Sequence, residues 1–256
     1  MDNSKSIVFC DALEVLDSNQ EVLKDVCSDI KLFKIELSLY YQLTDILLKA
    51  LTSEEVKRAQ RYHQLKDSNR FIICRALLKY VIAEEKGLDI SQIHFEKKAN
   101  HKPYFPLDRS LFFNVSHAGD FAVIALGNFE LGIDVEQIDS NFKYSDILSS
   151  VFSVEEINFI SHSEFERRTF YKFWTRKEAI VKATGKGIDE EFINIPVLDG
   201  AHFVSSSLVD GFTNIEVRSF NLNADHTAAI AYTDKNKGII FCKIPKAETL
   251  LTFFNE

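Results

Sequence analysis

The amino-acid sequence predicts an α+β protein made of two similar α/β halves, each a long helix packed on a mainly antiparallel sheet. Three observations carry that expectation: two long helical patterns recur about 100 residues apart, β-like runs follow each of them, and no linker-like segment separates the copies.

Ser53-Glu54-Glu55 opens the first helical pattern, with a serine N-cap and acids in the first turn. It runs, with a break near Asp67, through Arg75-Ala76-Leu77-Leu78-Lys79 to Gly87, a C-cap residue. Strands are expected after it at 93–97, 111–116, 121–127 and 131–136. Ser153-Val154-Glu155-Glu156 opens the second pattern, which runs through Lys177 and Lys182 to Gly185, and strands follow at 215–220, 227–233 and 238–243. Each copy has a serine cap with acids, a basic and aromatic middle, then Ala, two aliphatics and Lys near its end. The halves are expected at 1–128 and 129–256, closely packed, with residues 1–30 as an extension that adds a helix or a strand to the first half.

The composition is that of a soluble globular protein, with enough of its 256 residues apolar to bury a sizeable core. Cys10, Cys27, Cys74 and Cys242 show no C-x-x-C pairing and read as reduced thiols of a cytosolic protein. The apolar run from Ile7 to Cys10 is too short for a signal peptide, and no stretch approaches the length of a membrane span. A net charge of −8 argues against general nucleic-acid binding. Within that acidic whole, residues 57–79 hold seven Lys and Arg against Asp67 alone, and residues 167–186 hold seven against Glu178 alone. Two such stretches fit either solvated helix faces or a localised anionic ligand.

The most informative string is Gly132-Ile133-Asp134-Val135-Glu136. On a strand its period of two puts Asp134 and Glu136 on one face, close enough to repel. Such a pair fits a solvated sheet face, or a Mg²⁺ site with room for waters and phosphates. On the second helix, Phe170, Phe173, Trp174, Ile180 and Val181 form an apolar stripe, and Glu178 and Lys182 lie together on its edge at the spacing of a surface ion pair. Lys177 falls inside the stripe, where an ammonium needs an anionic partner or must snorkel past Trp174. Ser116-His117 closes an expected strand with hydrogen-bonding groups suited to a phosphate.

The Gly-Ile-Asp-Val-Glu string, followed by Trp174-Thr175-Arg176-Lys177-Glu178-Ala179-Ile180-Val181-Lys182, resembles the paired signatures of the phosphopantetheinyl transferase superfamily. Asn114-Val115-Ser116-His117, Lys102-Pro103 and Arg70 resemble its upstream elements, although His101 stands where the family often has Gly. The resemblance covers about residues 31 to 245. It implies the long type, with two halves related by a pseudo-twofold, folding as a monomer with one site between them. It further implies coenzyme A as donor, Mg²⁺ (or Mn²⁺) as cofactor, and an apo acyl or peptidyl carrier protein as acceptor, in fatty-acid, polyketide or nonribosomal-peptide assembly.

Carried over by position, Asp134, Glu136 and Glu178 are expected to bind the metal. Glu178, directly or through a water, would deprotonate the carrier serine, and Lys182 would steady the 3′,5′-ADP leaving group. Lys177 is expected on the pyrophosphate, and Ser116, His117, Lys102 and Arg70 on the phosphates, with Lys66 and Arg75 as further candidates. Carrier docking is expected near Phe142 to Phe165, steered by Arg167, Arg168 or Lys172. The alternative reading is a catalytically inactive coenzyme A-binding protein of the same fold.

Overall fold

The computed structural model describes residues 4–13, 30–235 and 237–255, so Cys27 and most of the expected N-terminal extension lie outside the described residues. In chain order β1 (Lys5–Ala12) and β2 (Ile30–Glu36) precede the short α1 (Thr44–Leu47), α2 (Ser53–Ala59) and the long α3 (Leu65–Lys86). A small hairpin, β3 (Glu96–Lys97) and β4 (Pro103–Tyr104), leads into β5 (Phe112–Ala118), β6 (Phe121–Gly127) and β7 (Leu131–Gln137). The second helical block comprises α4 (Leu148–Val151), α5 (Val154–Ser161) and α6 (Glu166–Thr184). β8 (Gly200–Ser205), β9 (Asn214–Asn223), β10 (His226–Tyr232), β11 (Ile239–Cys242) and α7 (Ala247–Asn255) complete the chain.

The two helical patterns are present with matching starts, but each is a short helix followed by a long one: the first breaks at 60–64, ahead of Asp67, and the second breaks at 162–165, where the sequence predicts one continuous run. Thr52, not Ser53, caps α2: its extended backbone lets the hydroxyl accept the Glu55 N–H, while the Glu55 carboxylate accepts the Thr52 N–H. Ser153 and Glu156 form the same reciprocal box on α5. Gly87 and Gly185 end α3 and α6 in the left-handed conformation, as expected of C-caps.

Beside the β3-β4 hairpin, two larger sheets form among the described residues, in the orders β11-β2-β6-β5 and β7-β10-β9-β1-β8. Helix α3 lies over the first and α6 over the second, each with its own apolar core. The opposite sheet faces meet in a third core, where Ile30, Leu32, Val123 and Ala125 face Ile133, Val135, Phe220 and Ile230. The result is a helix-sheet-sheet-helix stack. The triplets β2-β6-β5 and β7-β10-β9 have the same order and antiparallel pairing, which is the two-half repeat seen in the sequence.

The ends of the chain cross between the halves. β1 runs parallel to β9 and antiparallel to β8 in the second sheet, so the expected added strand joins the second half instead of the first. Conversely β11 runs parallel to β2, and Leu250 of α7 is buried in the first-half core. A cut at residue 128 therefore does not separate the two sheets. β2 is absent from the sequence expectations because it is buried on both faces, Ile30 and Leu32 between the sheets and Phe33 and Ile35 under α3, which blurs the alternation.

Candidate active site

The halves meet where β5 and β7 lie side by side, and side chains do the joining. Asn114 and Ser116, two apart on β5, point the same way. The Asn114 Oδ1 accepts the Ile133 N–H at 3.0 Å, and the Ser116 hydroxyl accepts the Val135 N–H at 3.3 Å. At the far end of this seam a cleft of about 300 Å³ opens, lined by Ser116, His117, Asp134, Glu136, Trp174, Glu178 and Lys182. Asp134 and Glu136 share the α6-facing side of β7, and α6 brings Glu178 and Lys182 from the other wall. Lys182 does not pair back along its helix; its Nζ reaches across to Asp134 Oδ1 at 2.6 Å and to Ser116 Oγ at 3.3 Å.

Three carboxylates in one half-closed cleft perturb one another. Burial raises Asp134, opposed by Lys182 and by the Ser116 hydroxyl. Burial, then the charge of Asp134, pushes Glu136 up to about 7 despite Lys182 and a hydrogen bond from the Trp174 side chain. Burial followed by Asp134 also raises Glu178. Asp134 Oδ2 is buried with no hydrogen-bond partner. An unsatisfied carboxylate oxygen beside two strained acids is the chemistry of a divalent-cation site. Among the described residues the acids do not close into a ready-made cage of three ligands.

The second helix-facing wall has no counterpart in the first half. Phe33 and Ile35 occupy the fourth and sixth positions of β2, where Asp134 and Glu136 stand on β7. Among the described residues the repeat therefore supplies one acidic site.

Among the phosphate candidates, His117 lines the cleft, and burial, then the charges of Arg70 and Lys182, lowers its pKa. Arg70 is thus near the cleft, with its guanidinium donating to Asp67 at 2.9 Å. Lys66 is exposed at the start of α3. Arg75 turns away, pairing with Glu55 and lying over the rings of Phe71 and Phe95.

Two expected ligand residues lie elsewhere. Lys177 is fully buried on the far side of α6, where its ammonium donates to the carbonyls of Phe192, Ile193 and Ile195 and pairs with Glu156 at 3.2 Å. Its partner is the acid of the α5 capping box, much as Lys79 in the first half pairs with Glu55 of the α2 box. Lys177→Ala is expected to destabilise the protein by about 3–5 kcal/mol in chemical denaturation, because it strands a buried carboxylate.

Lys102 is likewise committed: its ammonium donates to Glu130 at 2.7 Å and to the carbonyls of Leu131 at 3.0 Å and Ala183 at 2.9 Å. Those acceptors use all three N–H groups, so Lys102 ties the β3-β4 hairpin to β7 and the end of α6. It also lines a second cavity of about 370 Å³ with Lys97, Lys98, Arg109, Tyr104 and Phe112. His101 holds φ at +63°, supplying with a non-glycine residue the turn that glycine would make easily.

Of the carrier-steering candidates, Arg167 donates to the carbonyls of Asp139 and Phe142, Arg168 to that of Ala224, and Lys172 pairs with Asp199. All three are engaged internally. Sequence reasoning missed Trp174, which it placed on the apolar stripe; the ring stacks on Phe170 yet lines the cleft beside Glu136. The indole N–H, a donor needing a partner when partly buried, was the available signal. It also left Asn114 without a role, although two polar residues at alternate positions of an otherwise apolar strand mark a seam.

A family model described as "4'-phosphopantetheinyl transferase, N-terminal" matches residues 41–128, and one described as "4'-phosphopantetheinyl transferase superfamily" matches residues 130–232. Similar proteins include a 4'-phosphopantetheinyl transferase of Bacillus subtilis, 28% identical over 76% of this chain and 88% of the relative. The 4'-phosphopantetheinyl transferase pptA of Paxillus involutus is 31% identical over 60% of this chain and 68% of its own length. The 4'-phosphopantetheinyl transferase Sfp of Bacillus subtilis strain 168 is 25% identical over 70% and 81%, respectively.

Proposed function

The chain belongs to the 4′-phosphopantetheinyl transferase superfamily, in its long two-half form, and on that premise we propose how its cleft transfers the 4′-phosphopantetheine of coenzyme A to a serine of an apo acyl or peptidyl carrier protein. The observation that supports this most is the convergence of Asp134, Glu136, Glu178 and Lys182 on one cleft at the seam between halves. The serine oxygen forms a bond to the β-phosphorus of coenzyme A, the bond from that phosphorus to the bridging oxygen breaks, and 3′,5′-ADP leaves.

Asp134, Glu136 and Glu178 would hold Mg²⁺, or Mn²⁺ in its place, which would supply neutralisation of the pyrophosphate charge and polarisation of the phosphorus. Glu178 accepts the serine proton, directly or through a water. Lys182, already in reach of the acids, counters the charge developing on the leaving group. Arg70 and His117 hold phosphate oxygens at the cleft, with Lys66 in support. The carrier docks on the apolar surface around Phe142, Phe159 and Phe165, all exposed. One chain holds both walls of the site, so we propose a monomer acting in the cytoplasm; no helix among the described residues is long and apolar enough to cross a membrane.

Intact-mass spectrometry tests this reading. An apo carrier protein incubated with the enzyme, coenzyme A and Mg²⁺ is expected to gain one phosphopantetheine, and chelation by EDTA is expected to abolish the gain. Coenzyme A binding without any gain on acyl or peptidyl carriers would point instead to an inactive binder.

The perturbed acids also predict a pH signature. Glu136 titrates near 7 in the folded protein against 4.5 ordinarily, so between those values the folded state holds a proton that the unfolded chain has released. Metal-free stability should therefore fall as pH rises through that window. Because the cation requires the ionised acids, Mg²⁺ is expected to raise Tm more at pH 8 than at pH 5.5 in thermal-shift measurements.

A further inference from the structure

We infer that Ser116 is a positioning residue for the metal ligand Asp134. Its hydroxyl is the hub of the seam. It accepts the Val135 N–H at 3.3 Å and donates to Asp134 Oδ1 at 3.0 Å, and Lys182 Nζ lies 3.3 Å away. A hydroxyl has one proton, and here that proton is directed at the carboxylate. Ser116 is itself buried, at 7% exposure, in the wall of the cleft beside Asp134.

The geometry is directional. Both side-chain donors to Asp134, Ser116 and Lys182, fall on Oδ1, while Oδ2 is buried and has no hydrogen-bond partner. The carboxylate is thereby clamped in one rotamer by one oxygen, with the other kept for a cation. Hydrogen bonds of this kind, made to a ligand and not to the metal, orient the ligand and sustain metal affinity. The seam contact on Val135 gives the hydroxyl its own anchor, so the first half of the chain sets the orientation of a ligand carried by the second.

The inference rests on the metal-site reading above, and its test separates the two. Mn²⁺ affinity is read from the electron paramagnetic resonance signal of free Mn²⁺, and metal-free coenzyme A affinity by calorimetry, on the full chain. Ser116→Ala is expected to weaken Mn²⁺ binding about 10-fold or more while leaving metal-free coenzyme A affinity unchanged. Ser116→Thr keeps the hydroxyl and is expected to retain Mn²⁺ affinity. Should the alanine variant not fold, Ser116→Cys, which exchanges a strong donor for a weak one, makes the same comparison. Unchanged Mn²⁺ affinity with weakened metal-free coenzyme A binding overturns the inference and returns Ser116 to the phosphates. A wild-type protein that binds no Mn²⁺ overturns the metal-site reading and this inference with it.

Discussion

Glu178→Gln is expected to lower the rate of phosphopantetheine transfer by about 10²–10⁴-fold while leaving the metal-free protein at least as stable as the wild type. The amide preserves the size of the side chain and its place on α6, but it can neither accept the serine proton nor contribute a charge to the cation. The stability half of the expectation follows from the cleft. Burial and Asp134 both disfavour ionised Glu178, so a neutral isostere relieves repulsion that the native carboxylate endures. Activity lost with Tm held or raised is the mark of a group placed for chemistry at a cost in stability. Single-turnover transfer to an apo carrier, with Tm from the same preparation, checks both. A variant that transfers at the wild-type rate would remove Glu178 from the reaction.

That trade separates Glu178 from its neighbour Lys177, and the sequence alone does not. Both sit in one motif, and helical spacing puts Lys177 on the apolar stripe and Glu178 on its edge. What decides their fates comes from elsewhere in the chain: the acid of the α5 cap and three carbonyls between residues 192 and 195 converge on Lys177, whereas β7 brings acids to Glu178. Lys102 illustrates the same limit, since its acceptors lie on Glu130, Leu131 and Ala183, far along the chain. Local pattern does reveal the Ser153 cap, the glycine C-caps and the shared face of Asp134 and Glu136, because each depends on residues within a turn or two, but it places the first cap on Ser53, one residue past Thr52. The crossing of β1 and β11 between sheets has no local signature. Nor does β2, whose two buried faces erase its alternation.

The glycine that opens the acidic string shows how close packing on α6 serves the site. A Cβ at Gly132 would lie 2.3 Å from both the Ala179 carbonyl oxygen and the Ala183 nitrogen, and 2.7 Å from the Lys182 carbonyl carbon. Those are backbone atoms, so no rotamer change relieves the clash; the helix itself must move. In the first half the matching second position of β2 is Lys31, whose Nζ reaches Glu85 of α3 at 2.5 Å, so there the helix stands far enough off to admit a long side chain. Close approach belongs to the half that carries the acids. Gly132→Ala is therefore expected to push the last two turns of α6 away from β7, shifting Glu178 and Lys182 relative to Asp134. Misplacement on the order of 1 Å costs about 10²-fold in rate, and overpacking of this kind costs about 1–3 kcal/mol in stability. The measurement is kcat at saturating coenzyme A below the variant's Tm, where the protein is folded. A 100-fold loss there means that the glycine sets the span between strand and helix acids. A wild-type kcat with only a lowered Tm would mean that α6 yields without disturbing the cleft, and that the span is fixed by the Lys182–Asp134 pair itself.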